Sequence, residues 1–390
     1  MSITSPDGKI TIEPDDGPGA SFFRRLTQAT DWKSGLVIPL LAVFTALVIG
    51  AIIIMLTGSS FAQMIDAYMA LLKGSVGSLR AISATLTEAT PLILTGLSVA
   101  LAFRAGLFNI GGEGQLLIGG MSAVLVGFSI TGLPWFIHLP MAIVAGITGG
   151  ALWGFIPGFL KAKTGAHEVI VTIMLNYIAY RLVDFLLKTT LFQREGRNDP
   201  ISKNIMDSAQ MPALLQWLDP AMKVNIGLFL ALAAAGFVWW LLFRTNTGFE
   251  FRAVGANPSA ARYAGMSVTK VYILVMMIAG GLAGLAGTGQ ILGVLDRASP
   301  GFNAGLGFDG IAVALLARSN PIGVVVAAVL FGGLNAGGQY MQANAEVGID
   351  LISVIQALII MFVAAPALIG AIYRVKSNAS ATQISQGWGS

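Results

Sequence analysis

The chain alternates long apolar runs with short polar connections, and this pattern predicts ten membrane-spanning helices. Runs of about 20 apolar residues match the length that a helix needs to cross the hydrocarbon core of a bilayer. The predicted spans are 35–57, 90–103, 114–132, 135–160, 169–187, 225–243, 270–293, 308–318, 321–338 and 349–373. The sequence therefore predicts an all-α fold, a polytopic transmembrane helical bundle.

Two of these spans, 90–103 and 308–318, are too short to cross a bilayer alone at about 1.5 Å per residue. Polar residues rich in glycine or proline precede both, and another apolar run follows both. We interpret them as short or broken helices. Paired short segments in two halves of a chain often mark the binding region of a transporter, although the sequence similarity between 90–132 and 300–338 is weak.

Composition and charge place the chain in the membrane and orient it there. It is 55% hydrophobic and 11% charged, against about 25% charged in soluble domains. Most Lys and Arg residues fall on the inner side if the N-terminus is cytoplasmic, which predicts an N-in, C-in topology. Residues 1–34 are then a cytoplasmic disordered tail without a cleavable signal, 35–374 a transmembrane domain, and 375–390 a second cytoplasmic tail.

Several kinds of chemistry are excluded by composition. The chain has no cysteine, which excludes disulfides and thiolate catalysis, and its two histidines are too few for a histidine-based metal site. No Gly-x-x-x-x-Gly-Lys-Ser/Thr motif is present, so this polypeptide does not bind ATP through a P-loop. We expect neither a catalytic residue nor a metal ligand in this chain.

The most distinctive polar stretch is the loop 244–269, which the topology places in the cytoplasm. Within it, Asn257 is suited to cap a short helix, Pro258 to its first position and Gly265 to a left-handed residue past its end. A surface helix with both ends specified in this way suggests a docking element for another protein.

Polar residues at membrane depth form the second set of candidates. Asn109, Glu113 and Gln115 lie close together among glycines between two apolar runs. Polar groups at this depth are tolerated where they line a cavity or pack within protein. The stretch is therefore either a broken helix that lines a pathway or a tight cytoplasmic turn in which Glu113 is solvated or pairs with Arg104.

Other intramembrane polar residues have both structural and functional interpretations. Asn176 lies in the middle of an apolar run, where its amide bonds either a neighbouring helix or a substrate. Arg181 and Asp184 are three residues apart, a spacing that favours an ion pair on a helix face. The many glycines of 280–289 and 332–338 include small-xxx-small spacings and predict close helix packing.

The order of these motifs resembles the permeases of ATP-binding-cassette (ABC) importers in the branched-chain amino acid/ribose permease superfamily. Its nucleoside and simple-sugar branch is the best match, over about residues 35–373. The matching stretches are Thr95–Gln115, Glu168–Tyr177, Arg252–Gly265 and Gly310–Leu316. This resemblance implies a multi-pass protein of the cell inner membrane that moves nucleosides into the cytoplasm by alternating access.

The resemblance also implies partners. These are an ABC ATPase subunit that carries the ATP and Mg, a second permease chain that is a homologue or a copy, and an extracytoplasmic solute-binding protein. The expected ATPase contacts are Glu250, Arg252, Asn257, Ala261 and Arg262. The expected pathway residues are Phe108, Asn109, Glu113, Asn176 and Asn303.

Two alternatives stay open from the sequence. The first is the same permease role for ribose or another simple sugar. The second is an ion-coupled secondary transporter that acts alone, which requires an intramembrane acid, and Glu113, Asp184 and Asp309 are the candidates for it.

Overall fold

A computed structural model of the chain describes residues 40–57, 60–345, 348, 350–364 and 373. The helices are α1 (Leu40–Leu56), α2 (Phe61–Val76), α3 (Leu79–Arg104), α4 (Gly112–Ser129), α5 (Trp135–Thr164), α6 (Glu168–Leu186), α7 (Gly227–Arg244), α8 (Asn246–Ala256), α9 (Pro258–Tyr263), α10 (Val268–Gln290), α11 (Leu306–Leu316), α12 (Pro321–Ala345) and α13 (Asp350–Ala364). A π-helical turn, Ile291–Leu295, extends α10. The all-helical prediction is confirmed for these residues, which add only two isolated β-bridges.

Among the described residues, six helices are long and apolar enough to cross a membrane: α3, α5, α6, α7, α10 with its π-turn, and α12. Three shorter apolar helices, α1, α11 and α13, accompany them. The count of ten spans and the N-in orientation stay predictions. The predicted tails 1–34 and 375–390 lie outside the described residues. So do residues 35–39 of the first predicted span and residues 349 and 365–372 of the last.

The bundle has two ends that hydrogen bonds and close contacts define. At one, the Arg104 end, the Arg104 side chain donates to the carbonyl of Ser319 at 3.0 Å, and Gly255 packs on the backbone of Arg104. At the other, the Trp135 end, His138 bonds Ser208 at 2.7 Å. α3 and α11 run in the same direction between these ends, because Gly310 lies against Thr95 and the Ser319 carbonyl against Arg104.

The core of the bundle is a glycine seam between α5 and α10. Glycines 146, 150, 154 and 158 of α5 face Thr288, Gly284, Gly280 and Met276 of α10 so closely that an added side-chain carbon at any of the four meets backbone or side-chain atoms of α10. Gly119 of α4 joins the same seam. Small residues let helix backbones approach where the hydrophobic effect gives no net drive for association. The predicted packing role is confirmed for Gly280, Gly284 and Gly287, whereas a side-chain carbon added at Gly289 has no neighbour within 4 Å.

The prediction of a short broken helix at 90–103 is wrong. Residues 79–104 form the single helix α3, and Pro91 lies inside it. The polar residues of its first turns bond other parts of the protein: Ser83 accepts from the N–H groups of Lys223 and Val224, and Thr85 donates to the Ser75 carbonyl. Because other protein groups satisfy these polar side chains, the helix continues through residues whose polarity is typical of a loop at the membrane surface.

The same finding applies to residues 60–89, which lie between the first two predicted spans. They contain α2 and the start of α3, and α2 begins with a capping box in which Ser60 and Gln63 bond each other's backbone N–H. Ser75 donates to the carbonyl of Gly333 at 2.6 Å, so α2 packs on α12. The segment is therefore structured and forms part of the bundle.

The second long connection, residues 187–226, covers the Trp135 end. Ser202 and Ala298 exchange hydrogen bonds there, and Asn225 donates to the Gly293 carbonyl at 2.9 Å. Asp219 pairs with Arg80, and this hydrogen bond lowers the pKa of the Asp219 carboxyl. The connection is thus attached to α3, α5 and the end of α10.

The glycine seam makes a stability prediction. Gly280→Ala adds a methyl group that meets the Gly150 carbonyl, whereas Gly289→Ala, on the same helix, adds one where no neighbour lies within 4 Å. We expect Gly280→Ala to destabilise the protein by about 1–3 kcal/mol, the usual cost of overpacking. Thermal unfolding of the detergent-solubilised protein measures this, and equal midpoints for the two variants would contradict the packing described here.

Candidate functional site

Two helices begin in the interior of the bundle, and their first turns meet at the Glu113 side chain. Glu113, in the first turn of α4, accepts hydrogen bonds from the Tyr180 hydroxyl at 3.0 Å and from the Gly307 N–H of α11 at 2.6 Å. The Asn303 amide donates to it as well. Glu113 is fully buried. We call this cluster of Glu113, Tyr180, Asn303 and Gly307 the polar junction.

The polar junction lies near the middle of the bundle. Gly310 of α11 contacts Thr95, which is nine residues from Arg104 and so roughly 14 Å from that end of α3. Tyr180 is twelve residues from the start of α6, roughly 18 Å along its axis. Since a bilayer core is about 30 Å thick, α11 reaches only half of it, as the sequence predicted for a short helix here.

A second set of hydrogen bonds holds the connection 105–111 that leads into α4. Asn176 donates to the Ile110 carbonyl and accepts from the Gly114 N–H, both at 2.9 Å. Asn109 exchanges hydrogen bonds with Gln115 at 3.0 and 3.2 Å. The amide groups of Asn109 and Asn176 thus satisfy backbone and side-chain groups of an irregular segment at membrane depth, as a protein in lipid requires.

The alternative of a cytoplasmic turn around Glu113 is wrong. The carboxylate is buried rather than solvated, and Arg104 bonds the Ser319 carbonyl instead. The helix break that the sequence offered as the other interpretation of this stretch occurs at 105–111, between α3 and α4.

The remaining two predicted pathway residues, Phe108 and Asn303, have side-chain atoms that are exposed or lack a hydrogen-bond partner among the described residues. Phe108 is half-buried, and its ring centre lies 4.7 Å from that of Phe103. Asn303 is 3% exposed, and its Oδ1 atom has no hydrogen-bond partner among the described residues. The structure therefore brings Glu113 and Asn303 into direct contact. Asn109 lies on the connection 105–111, and Asn176 bonds that connection from α6.

The sequence argument missed Tyr180 and the Gly307 N–H. Tyr180 follows Asn176 by four residues, so the two share a face of α6, and this spacing was a signal that could have found it. A backbone donor 194 residues from Glu113 has no local signal at all.

The second candidate element lies at the Arg104 end. Asn257 accepts from the Ala260 N–H at 3.0 Å, Pro258 starts α9, and Gly265 has a φ of +85°. The predicted local structure of this surface helix is confirmed in each of these details. Its exposed surface includes Asn257, Arg262 and Tyr263, the last of which is 96% exposed.

The other expected contact residues lie closer to the bundle. Ala261 is buried, so its side chain does not contribute to the exposed surface. Arg252 is half-buried, with its guanidinium 5.5 Å from the Phe243 ring centre, and Glu250 is half-buried beside it on α8. Phe251 and Val254 anchor α8 in the core.

The surface element and the polar junction are connected through backbone. Gly255, near the end of α8, packs on the backbone of Arg104 and Ala105 with no space for a side chain. Gly106 follows with a φ of +73°, and the connection then runs to Glu113. Residues 105–111 therefore join the surface element to the polar junction through seven residues.

Comparison with known proteins identifies the family. Residues 81–364 match the family model described as branched-chain amino acid transport system / permease component. The chain belongs to this family. It is a multi-pass membrane transport subunit rather than an enzyme, and its similar proteins are permease components of ABC transporters, in which ATP hydrolysis belongs to a separate subunit.

Three relatives illustrate the similarity. The guanosine ABC transporter permease protein NupP of Bacillus subtilis is 44% identical over 85% of this chain and 93% of its own. The nucleoside ABC transporter permease protein NupB of Lactococcus lactis is 37% identical over 84% and 90%. The glucose ABC transporter permease protein TsgB13 of Haloferax volcanii is 35% identical over 83% and 86%.

The polar junction predicts that Glu113→Gln destabilises this permease. The amide nitrogen cannot accept a hydrogen bond, so either the Gly307 N–H or the donors of Asn303 and Tyr180 lose their acceptor. A buried donor without a partner costs about 1–3 kcal/mol. We expect a lower thermal midpoint for the solubilised protein.

The matched control is Glu195→Gln, which makes the same chemical change at an exposed position of the 187–226 connection. An unchanged thermal midpoint for both variants would show that the hydrogen bonds of Glu113 do not stabilise the protein.

Proposed function

We propose that this chain is the permease subunit of an ABC importer in the cell inner membrane and that it moves nucleosides into the cytoplasm. A separate ATPase subunit, which holds ATP and Mg, drives the transport by alternating access. The observation that carries the proposal is the exposed, doubly capped helix α9, which connects through Gly255 to the segment that enters the polar junction.

Nucleosides are the favoured solute because the relatives NupP and NupB are named for guanosine and nucleosides. A simple sugar is the second candidate, supported by the resemblance to the glucose permease TsgB13. A nucleoside also contains a ribose, so a site for either solute needs polar groups for hydroxyls, and a nucleoside additionally needs an apolar or aromatic surface for its base.

In this proposal the polar junction is the point at which the pathway can open or close. Two helices that begin at mid-depth meet there, and their relative position depends on one carboxylate. Phe108, Asn109, Glu113, Asn176 and Asn303 belong to the pathway region, with Glu113, Asn109 and Asn176 shaping its wall through hydrogen bonds. The half-buried Phe108 ring and the Asn303 Oδ1 atom are the groups that contact solute in this proposal.

The surface element α8–α9 is the proposed ATPase contact. Asn257 and Arg262 present their side chains outward, and Tyr263 adds a large exposed aromatic surface. Arg252 and Glu250 support the element from α8, and Ala261 anchors α9 to the bundle. Tyrosine and arginine are the residues that most often carry binding energy at protein interfaces.

Two further partners complete the proposed transporter. A second permease chain, either a homologue or a copy, completes the solute path, and an extracytoplasmic binding protein delivers solute to the Trp135 end. At that end the 187–226 connection and the end of α10 surround a cavity of about 730 Å³, whose lining includes Trp135, Asp207 and Asp296. This cavity is large enough to receive part of another protein.

The ATPase contact predicts the behaviour of the double substitution Arg262→Glu with Tyr263→Ala. We expect the amount of ATPase that co-purifies with the permease to fall by more than about tenfold, since each anchor residue of an interface is worth about 2 kcal/mol or more. The measurement is ATP hydrolysis by the purified complex. Arg194→Glu, at another exposed arginine in the 187–226 connection, is expected to keep the ATPase. Full retention by the double variant would contradict the proposed contact.

The solute assignment predicts a competition result. In cells that hold this permease with its ATPase and binding protein, we expect an excess of unlabelled nucleoside to abolish uptake of radiolabelled guanosine. An equal excess of glucose is expected to leave it unchanged. Competition by glucose alone, or uptake that persists without any ATPase, would reject the nucleoside importer in favour of a sugar importer or an ion-coupled transporter.

A further inference from the structure

One exposed helix face of the bundle carries charge in its outer half. Residues of α6 spaced by three and four form a stripe, which we call the α6 stripe: Ile170, Met174, Tyr177, Arg181 and Asp184. Met174 and Tyr177 are 51% and 64% exposed. The Arg181 side chain is 88% exposed and lies 3.8 Å from the Asp184 carboxylate, so the ion pair that the sequence predicted does form.

This ion pair is unusual among the spans of the described residues. Within the six long helices, Arg181 is the exposed charged residue that lies furthest from a helix end, five residues before the end of α6. The exposed side chains in the middle of α5 and α7 are uncharged, such as Val144, Thr148 and Leu232. Charged side chains within spans face protein or water rather than lipid because transfer to lipid costs several kcal/mol.

The α6 stripe is also continuous with the polar junction. Tyr180 flanks the stripe on the same helix and donates to Glu113 at 3.0 Å. Phe308, exposed in the first turn of α11, and Asp309 directly follow Gly307, whose N–H binds Glu113. A polar and aromatic surface therefore extends from the exposed stripe to the buried carboxylate.

We propose that the α6 stripe is the wall of the solute path, with Tyr177 and the Arg181–Asp184 pair forming a binding surface for a nucleoside. The tyrosine ring offers a stacking surface for a base. The guanidinium donates hydrogen bonds to base carbonyls, and the carboxylate accepts them from ribose hydroxyls. The second permease chain closes the path opposite α6. This assignment rests on the proposed function and names the residues that bind the solute.

The chain has no cysteine, so single cysteines can be introduced without other changes. Met174→Cys and Tyr177→Cys test the stripe, and Leu152→Cys is the control, at a comparable depth on α5 and equally exposed, at 59%. The probe is a cationic, membrane-impermeant methanethiosulfonate, applied to the complete transporter in proteoliposomes. Modification by the probe is measured as the loss of a later gel-shift label on this chain. Only a thiol in contact with water ionises and reacts, so the rate of modification reports access to water.

We expect the two stripe thiols to react more than tenfold faster than the Leu152→Cys thiol, and excess nucleoside to slow their reaction. Rates as slow as that of the control would overturn the assignment, as would fast reaction that nucleoside leaves unchanged. Uptake of guanosine by the unsubstituted transporter is measured in parallel. If that uptake is absent, the proposed function fails, whereas absent stripe reactivity with normal uptake rejects only the α6 stripe.

Discussion

The structure depends on one buried carboxylate that holds two helix beginnings together. The first N–H groups of a helix have no partner within it, and lipid offers none. Two helices that begin at mid-depth therefore need acceptors inside the protein. Glu113 is in the first turn of α4 and accepts from the Gly307 N–H of α11, whereas the Gly114 N–H of α4 donates to Asn176. The negative charge of Glu113 is also favoured there by the dipoles of both helices.

The glycine seam gives this arrangement a rigid support. The contacts of α5 with α10, and of α4 with both, are backbone against backbone at Gly119, Gly150 and Gly284. Such contacts leave no flexible side chain to absorb a displacement. The position of α4, and so of Glu113, is thus determined by the seam, whereas α11 approaches from the side of α3 and α12. The polar junction lies where these two groups of helices meet.

The sequence predicted features that local patterns encode. Asn257, Pro258 and Gly265 specify α9 by their own capping and turn preferences, and the short run at 308–318 predicted a half-length helix. It could not predict the continuity of α3, because the partners of Ser83 and Thr85 are backbone groups elsewhere in the chain. The polar junction was found only in part for the same reason: a polar residue at depth is visible in sequence, but the donor that satisfies it is not.

The connection between the two candidate elements constrains how the transporter works. α9 follows α8 directly in the chain, and α8 contacts the end of α3 and the start of the connection 105–111 through Gly255. Asn176 bonds both Ile110 and Gly114, so that connection moves together with α6 and the start of α4. If α9 is the ATPase contact, as proposed, these contacts link the ATPase to Glu113 and to α6. The hydrogen bonds to Glu113 then lie on the path between the two proposed sites.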